Sequence, residues 1–365
     1  MIVLALVLAG FVAAPPRPSS FQDEDPTRMM GKALYERACA RCHGADGRGD
    51  RPDIQLNAPL PNFARCGESA EETDAQWRRT IEKGGIVYGL SDEMPAYGDV
   101  LSRAQVDSLL GYLRDFCGNP RWARGELNFR RPLFTEKAYP ENELVLGPRL
   151  ERSPGAPASF TLAGTWERRL GPRTQMEAVV PLSSLAQSEP GRQPRRQSGV
   201  GDVELGVKQV LAASLPRRFI LSAGLDVAFP TGRSSAGLGA GTYRFEPFVA
   251  AGKELAGWAL QGQMSLEIPA DRQKSERELQ YSIVIGRPVY FIREVRDLFG
   301  SLELVGTREL ARGEPNRIFL APQLRLPIDR LGRWAFAAGP TIPLTQRSTN
   351  RAGFAAYLLW EYLGR

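Results

Sequence analysis

The sequence of 365 residues contains no uninterrupted apolar run of the roughly 20 residues that a membrane-spanning helix requires. This absence excludes a helical membrane protein, so any passage through a membrane must use β-strands. The basic residues give a net charge of +6, but they are scattered and form no run interleaved with aromatic residues. Nucleic acid is therefore not expected as a partner.

An apolar run at residues 1–14, MIVLALVLAGFVAA, has the length of the central region of a secretory signal peptide. The alternatives are a buried helix and a short membrane anchor, but the run is short for a bilayer and ends at Pro15 and Pro16. Its small terminal residues suit cleavage near Ala14. We predict an exported protein with a signal peptide over 1–14 and a polar linker over 15–28.

Histidine is nearly absent, since the sequence contains only His43, in the motif Cys39-Ala40-Arg41-Cys42-His43. In a C-x-x-C-H motif, two thiols on one helical turn can add to both vinyl groups of a haem, and the histidine that follows reaches the iron. The alternatives are a redox-active dithiol and half of a zinc site, but zinc needs further ligands at matching spacing. We predict one covalent haem c, attached through Cys39 and Cys42 and ligated by His43.

With no second histidine, the strongest remaining axial ligand within the chain is a methionine thioether. Met94 lies in a loop rich in proline and glycine, residues 91–98, whereas Met29 and Met30 precede the motif and fit poorly. The alternatives are that Met94 only packs in its loop, or that the iron keeps an open position for small ligands. We predict Met94 as the second ligand.

Helical periodicity marks residues 26–38, 71–83 and 102–116, and predicts a small all-α domain over 29–120. Cys66 and Cys117 remain after haem attachment. In an oxidising compartment we expect them to form a disulfide, and the alternative is two unpaired buried thiols. An irregular connector is predicted over 121–141.

Residues 142–365 alternate with period two instead, most clearly in Phe219–Phe229. About twelve such runs occur, and an even number is typical of a closed bacterial outer-membrane barrel. Short turns alternate with longer polar loops, although Arg293–Asp297 is long for a turn. The overall prediction is an α + β protein of two domains, with an antiparallel transmembrane barrel of about 12 strands; a soluble β-sandwich is the alternative.

The two faces of these predicted strands differ in a way that favours the barrel. One face carries aromatic residues, many near strand ends as in a membrane girdle: Trp166, Phe219, Phe229, Tyr243, Trp258, Tyr281, Trp334, Phe354 and Trp360. The other carries charges that a dry sandwich core would not tolerate: Glu143, Arg149, Glu151, Glu167, Glu204, Lys208, Asp226, Arg244, Glu246, Glu267, Glu303 and Arg325. We therefore expect a narrow, wet lumen lined by balanced charges.

Residues 31–116, from GKALYERACARCHGADGRGD to EMPAYGDVLSRAQVDSLLGYLRDF, resemble a class I, single-haem cytochrome c. The resemblance implies Cys39 and Cys42 as attachment points, His43 and Met94 as iron ligands, and the Pro52 carbonyl as acceptor of a hydrogen bond from the His43 ring. It also implies aromatic and aliphatic walls that keep water from the haem: Tyr35, Phe63, Trp77, Ile81, Tyr97, Leu109 and Tyr112.

The remainder of the chain is similar to an outer-membrane family associated with transport in phenol degradation by the meta pathway. The similarity rests on the segment from Arg124 to Glu143, on Gly199-Val200-Gly201-Asp202 with Glu204 and Gly206, and on Phe229-Pro230-Thr231-Gly232. It implies the barrel topology more securely than any substrate.

These features predict a periplasm-facing electron carrier, held in the outer membrane by its barrel, that exchanges electrons with periplasmic redox proteins. The expected contacts are therefore redox proteins and outer-membrane lipid. Enzymatic catalysis is not expected, because the one histidine is committed to the iron; a haem peroxidase with a displaceable Met94 is the remote alternative. The second hypothesis is a porin-like channel for small, including aromatic, solutes with the cytochrome as plug or sensor.

Overall fold

A computed structural model describes residues 26–152, 158–187, 195–293, 296–345 and 352–362. The predicted signal peptide and the first part of the predicted linker lie outside these residues. The described chain forms a small helical domain, an irregular segment and a closed β-barrel. The predicted combination of an all-α domain with an antiparallel barrel is therefore confirmed.

The helical domain contains five α-helices and a 3₁₀ turn over Gly85–Tyr88. The α-helices are α1 (Pro26–Ala38), α2 (Ala40–His43), α3 (Cys66–Ser69), α4 (Asp74–Lys83) and α5 (Arg103–Asp115). Helix α4 starts three residues later than predicted because Thr73 and Gln76 form a reciprocal capping box. Within the described residues, no helix has both the length and the apolar character to cross a membrane.

Helices α1 and α5 cross closely, and their contact organises the core of this domain. The crossing depends on Gly31, where a Cβ atom would lie only 2.2 Å from the backbone oxygen of Ser108. Tyr35, Val106 and Leu109 are almost fully buried beside it. Any larger residue at position 31 would push the two helices apart.

In the described residues, thirteen strand segments occupy twelve positions in a closed antiparallel ring. The segments are β1 (Glu143–Arg152), β2 (Ser159–Arg169), β3 (Thr174–Gln187), β4 (Arg195–Val200), β5 (Val203–Ser214), β6 (Phe219–Phe229), β7 (Arg244–Leu255), β8 (Trp258–Pro269), β9 (Glu278–Arg293), β10 (Arg296–Glu309), β11 (Arg317–Pro327), β12 (Trp334–Pro343) and β13 (Ala352–Glu361). Segments β4 and β5 pair with the two halves of β3 and act as one interrupted strand, while β1 pairs with β13.

The predicted strand faces and most connections are confirmed. Trp166, Trp258 and Trp360 point outward and remain partly exposed, whereas Glu167 and Glu303 point inward and are fully buried. The predicted long connection between β9 and β10 is wrong. Arg293 on β9 pairs directly with Arg296 on β10, so the turn between these strands is short. All short turns therefore lie at one end of the barrel.

The predicted connector fills part of the barrel lumen. We call residues 130–142 the plug. The Glu303 carboxylate, on β10, accepts hydrogen bonds from the backbone N–H groups of Leu133, Phe134 and Thr135 at 2.6 to 3.3 Å and from the Thr135 hydroxyl. The ring of Phe134 packs against Phe319 with a centroid distance of 5.0 Å.

Further wall residues satisfy the backbone polar groups of the plug. Ser222, on β6, donates to the carbonyl of Ala138, and Gln261, on β8, donates to the carbonyl of Arg130. Lys208 donates to the carbonyl of Lys137 at 2.7 Å. These bonds explain how an irregular segment can be buried, because a buried backbone group without a partner is costly.

The helical domain docks on the end of the barrel that carries the short turns. The side-chain amide of Asn142 donates to Glu71, and Arg330, in the β11–β12 turn, donates to the carbonyl of Ile86 at 3.3 Å. The guanidinium of Arg169 stacks on Trp122 at 4.5 Å. The two units are therefore in direct contact, and the connector does not act as a free tether.

Substituting Glu303→Ala should release the plug. The change removes the acceptor of three backbone N–H groups, and each hydrogen bond to a charged group contributes about 1.5–3 kcal/mol. Trypsin treatment of the detergent-solubilised protein should then cut at Lys137, which is buried in the wild type. The matched control is Glu309→Ala on the same strand, whose carboxylate pairs with Arg317. Equal resistance of both variants would contradict this role of Glu303.

Docking should also weaken as the pH rises. Burial, followed by the negative charge of Glu361, raises the pKa of Glu71 from 4.5 to about 8. The docked state is therefore favoured most below about pH 4.5 and loses up to about 1.4 kcal/mol per pH unit as the pH approaches 8. Energy transfer between fluorophores at the exposed residues Arg103 and Arg217 measures this loss. Glu71→Gln should flatten the pH profile, and an unchanged profile would refute the assignment.

Candidate haem site

Helix α2 presents the C-x-x-C-H motif at the start of the helical domain. Cys39 lies at its N-terminal boundary, Cys42 and His43 lie in its single turn, and both thiols are free. Arg51 donates from its guanidinium to the carbonyls of Ala40 and Arg41, which binds the loop after the motif to this turn. The two thiols and the imidazole are therefore held on one short, braced segment.

His43 has the environment of a ligand that lacks its partner. Its ring is buried, and Nδ1 makes no hydrogen bond to any described residue. Burial lowers the pKa of His43 to about 4, so the imidazole is neutral, as an iron ligand must be. Burial, followed by the nearby Cys42, raises the pKa of Cys39 to about 11. A neutral buried imidazole beside two free thiols fits the chemistry of haem c attachment.

Aromatic residues predicted as haem walls gather near His43. The ring of Phe63 lies 5.1 Å from the His43 ring and 5.4 Å from Trp77, measured between centroids. Tyr35 is fully buried and donates to the carbonyl of Gly44, while Tyr97 donates to the carbonyl of Ala38 at 3.1 Å. Phe63 therefore contacts the site directly, and the tyrosines position the backbone on either side of the motif.

Met94 lies half-buried in a loop that packs on the 3₁₀ turn Gly85–Tyr88. The N–H of Gly85 donates to the Met94 carbonyl at 3.1 Å, and a Cβ atom on Gly85 would lie 3.1 Å from the Cβ of Met94. Asn57 holds the preceding residues by donating to Asp92 and Glu93. The loop is therefore well anchored, and ligation of the iron by Met94 stays a prediction.

The predicted hydrogen bond between His43 and the Pro52 carbonyl is not formed, because Pro52 is exposed and Nδ1 of His43 is unpaired. The neighbouring Arg51 has the structural role in this loop instead. Sequence analysis missed it, since an arginine in a polar loop has no pattern of its own. The one feature of the sequence that indicates this role is Asp53, two residues after Arg51. The guanidinium of Arg51 pairs with the Asp53 carboxylate at 2.7 Å.

The predicted disulfide between Cys66 and Cys117 is confirmed, with a Cα–Cα distance of 5.0 Å. It ties α3 to the residues that follow α5. Arg114, on α5, reinforces the same junction by donating to Asp74 and to the carbonyl of Glu72. The segment between the two cysteines contains Met94 and also Trp77, whose ring contacts Phe63. The disulfide therefore closes the part of the domain that surrounds the site.

Two family models match separate parts of the chain. Residues 26–113 match the model described as cytochrome c oxidase, cbb3-type, subunit III. Residues 159–295 match the model described as putative MetA-pathway of phenol degradation. The first match covers the helical domain, and the second covers strands β2 to β9 of the barrel. No curated protein matches it.

Among solved structures, the chain is similar to an outer-membrane channel from Pseudomonas putida F1, with 14% identity and a TM-score of 0.46 over 64% of this chain and 100% of that chain. It is also similar to the β domain of the Bordetella autotransporter BrkA, with 11% identity and a TM-score of 0.41 over 61% and 100%. A third similar structure is the KdgM porin in complex with disordered oligogalacturonate, with 8% identity and a TM-score of 0.37 over 60% and 99%.

Two of the sequence motifs on which the resemblance of the barrel to the phenol-degradation family rests, at residues 199–202 and 229–232, come together in the structure. Thr231 donates from its hydroxyl to the carbonyl of Gly201 at 2.9 Å, and the N–H of Gly232 donates to Asp202 at 3.0 Å. The two sequence motifs thus form one contact where β5 and β6 meet the long-loop end of the barrel. Their role is to fix this corner, and they lie away from the haem site.

Removing the disulfide should destabilise the cytochrome domain. The cysteines are 51 residues apart, and closing a loop of this length contributes about 4 kcal/mol through the unfolded state. The double variant Cys66→Ser, Cys117→Ser should therefore unfold at lower urea concentration than the wild type. Unfolding is monitored through the visible absorption of the haem. Thiol reduction of the wild type provides the matched control and should give the same midpoint. An unchanged midpoint would show that the disulfide does not limit unfolding.

Proposed function

We propose that this protein is an electron-transfer cytochrome with one covalent haem c, anchored in the outer membrane by its barrel and facing the periplasm. The observation that carries the proposal is the buried His43, whose Nδ1 has no partner among the described residues and which lies on one turn with two free thiols. When bound, the haem supplies reversible one-electron chemistry.

The protein residues around this site would bind the haem, orient it and insulate it from water. Cys39 and Cys42 would hold the haem, His43 and Met94 would ligate the iron, and Phe63 would exclude water from one side. A thioether ligand and a dry wall both favour reduction at a relatively high potential. Because His43 would be committed to the iron, no other imidazole in the sequence is available for acid–base catalysis. Electron transfer is the activity that these residues support best.

The proposed location rests on the barrel surface and on the docked domain. Trp166, Trp334 and Trp360 project outward from one end of the barrel, as in an interfacial girdle. The cytochrome domain lies at the end with the short turns, which in outer-membrane barrels is the periplasmic end. Periplasmic redox proteins are therefore the partners we propose.

The alternative function, a channel for small solutes, is less well supported because the plug fills part of the lumen. Transport would require the plug to leave its hydrogen bonds to Glu303 and Lys208 or to shift along the wall. An electron carrier needs no such movement. The barrel then serves to hold the cytochrome at the membrane.

The proposal is tested by a reduced-minus-oxidised visible spectrum of outer membranes that contain the wild type or Met94→Ala. The wild type should show a low-spin c-type spectrum, with an iron–sulfur band in the oxidised state. Met94→Ala should lose this band and lower the reduction potential, within the roughly 0.8 V that axial ligands cover.

The matched control is Met30→Ala, which lies before the motif and should keep both the band and the potential. Absence of a haem band from the outer-membrane fraction would refute the anchored carrier. A haem band that survives Met94→Ala unchanged would refute the ligand assignment and favour ligand-binding chemistry at an open iron position.

A further inference from the structure

A groove on the outer wall of the barrel crosses strands β8 to β13. Its volume is about 520 Å³, within the roughly 300–1,000 Å³ of sites that bind small molecules. Apolar side chains form most of its walls: Ile285, Leu302, Pro322, Leu324, Pro340 and Phe354. These side chains belong to the outward-facing set of their strands, so the groove opens towards the membrane and not towards the lumen.

The strand pairing is interrupted beneath this groove. By the register of the flanking pairs, Pro322 on β11 lies opposite Pro340 on β12, and residues 321–323 do not pair with β12 although residues on both sides do. Proline has no backbone N–H to donate, which is why it is rare inside a sheet. The two backbones also pass close together, since a Cβ atom on Gly339 would overlap the carbonyl oxygen of Pro322. The groove therefore coincides with a break in the regular wall.

The groove runs obliquely from the short-turn end of the barrel into the membrane-facing wall. At one extremity lies Trp258, the first residue of β8, directly after the turn formed by Ala256 and Gly257. At the other extremity lies Phe354, near the long-loop end of β13, which starts at Ala352. The groove therefore extends through the depth of the apolar band, which is also the direction in which lipid chains extend.

Arg287 places a positive charge at the short-turn extremity of the groove. It follows Ile283 and Ile285 in the outward row of β9 and is itself exposed. Its guanidinium lies 5.1 Å from the centre of the Trp258 ring, and no carboxylate pairs with it in the described part of the chain. An arginine on the outer wall of a barrel is unfavourable in the apolar band and is tolerated near the headgroups. Arg287 therefore calls for an anionic partner at the membrane surface.

We propose that this groove binds one phospholipid, with the lipid phosphate on Arg287 and an acyl chain along the apolar wall. A guanidinium group can bind phosphate through two parallel hydrogen bonds, and stacking on Trp258 orients that of Arg287. The apolar lining would then exclude water from the chain. In the orientation proposed above, the short-turn end faces the periplasm, so this lipid would belong to the periplasmic leaflet.

A second copy of the barrel is the competing occupant of the groove. It could cover the apolar wall, but it would also have to offer an anion to Arg287. The carboxylates of the described strands lie on the inward face, as Glu303 does, or in ion pairs at the rim, as Glu309 does with Arg317. The outer wall of a neighbouring copy therefore lacks the group that Arg287 needs, whereas every phospholipid carries a phosphate.

The experiment is native mass spectrometry of the purified, haem-loaded full chain in detergent, titrated with phosphatidylglycerol. We expect one bound lipid per wild-type chain and at least tenfold weaker binding in Arg287→Met. Ala338→Leu keeps the charge but narrows the groove, which Ala338 lines, and should also weaken binding about tenfold. The matched control, Arg308→Met, removes an exposed arginine from the long-loop end of β10 and should bind the lipid like the wild type.

Two further ligands separate the contributions of phosphate and acyl chain. Diacylglycerol, which lacks the phosphate, should bind at least tenfold more weakly than phosphatidylglycerol. An excess of inorganic phosphate should not displace the bound lipid, because phosphate alone does not fill the groove. Folding of each variant is checked by its heat-dependent shift in gel electrophoresis.

Equal binding of the lipid by the wild type and Arg287→Met, or its displacement by inorganic phosphate, would overturn the site. So would a wild type that binds no lipid but forms dimers that Ala338→Leu disrupts, since a second copy would then be the occupant. These outcomes are read from mass alone. They therefore leave the haem spectrum, and with it the proposed electron carrier, to its own test.

Discussion

The carboxylate of Glu303 is the contact on which the arrangement of barrel, plug and cytochrome domain depends. An irregular segment exposes its backbone N–H groups, and it can be buried only where other groups accept them. Glu303 accepts three in succession, and Gln323 steadies it by donating to Oε2 at 3.0 Å. Because the plug is fixed at this point, the chain leaves the barrel at a defined place and the cytochrome domain can dock there.

Charged residues inside this barrel form ion pairs with the plug, unlike the charged residues that line an open porin. In an open pore, inward-facing carboxylates and guanidinium groups would be solvated. Here Arg131 and Lys137 come from the plug, and their partners Glu143 and Glu167 come from the wall. The ionic contacts therefore join two parts of the chain, and removing one partner would leave the other buried and unpaired.

Sequence patterns predicted most of the fold because each rests on a local rule. Period two placed Trp166 outside and Glu303 inside, and the C-x-x-C-H motif indicated the candidate haem site. The position of the plug could not be predicted in this way. Residues such as Lys137, Glu141 and Asn142 have the composition of a solvated linker, and only their long-range partners Lys208, Gln175 and Glu71 show that they are buried. The Pro52 contact failed for a related reason, since a resemblance does not fix the path of a loop.

The docked position suits a carrier that must meet soluble partners. The helical domain contacts the barrel through Glu71 and through the carbonyl of Ile86. Arg41, in α2, stays exposed to solvent. The proposed redox partner would therefore approach from the side of the candidate haem site that carries Arg41, without displacing the domain. The contact at Ile86 lies on the 3₁₀ turn that also supports the Met94 loop, so the barrel braces this loop. The proposed anchoring and electron exchange would thus use different faces of one small domain.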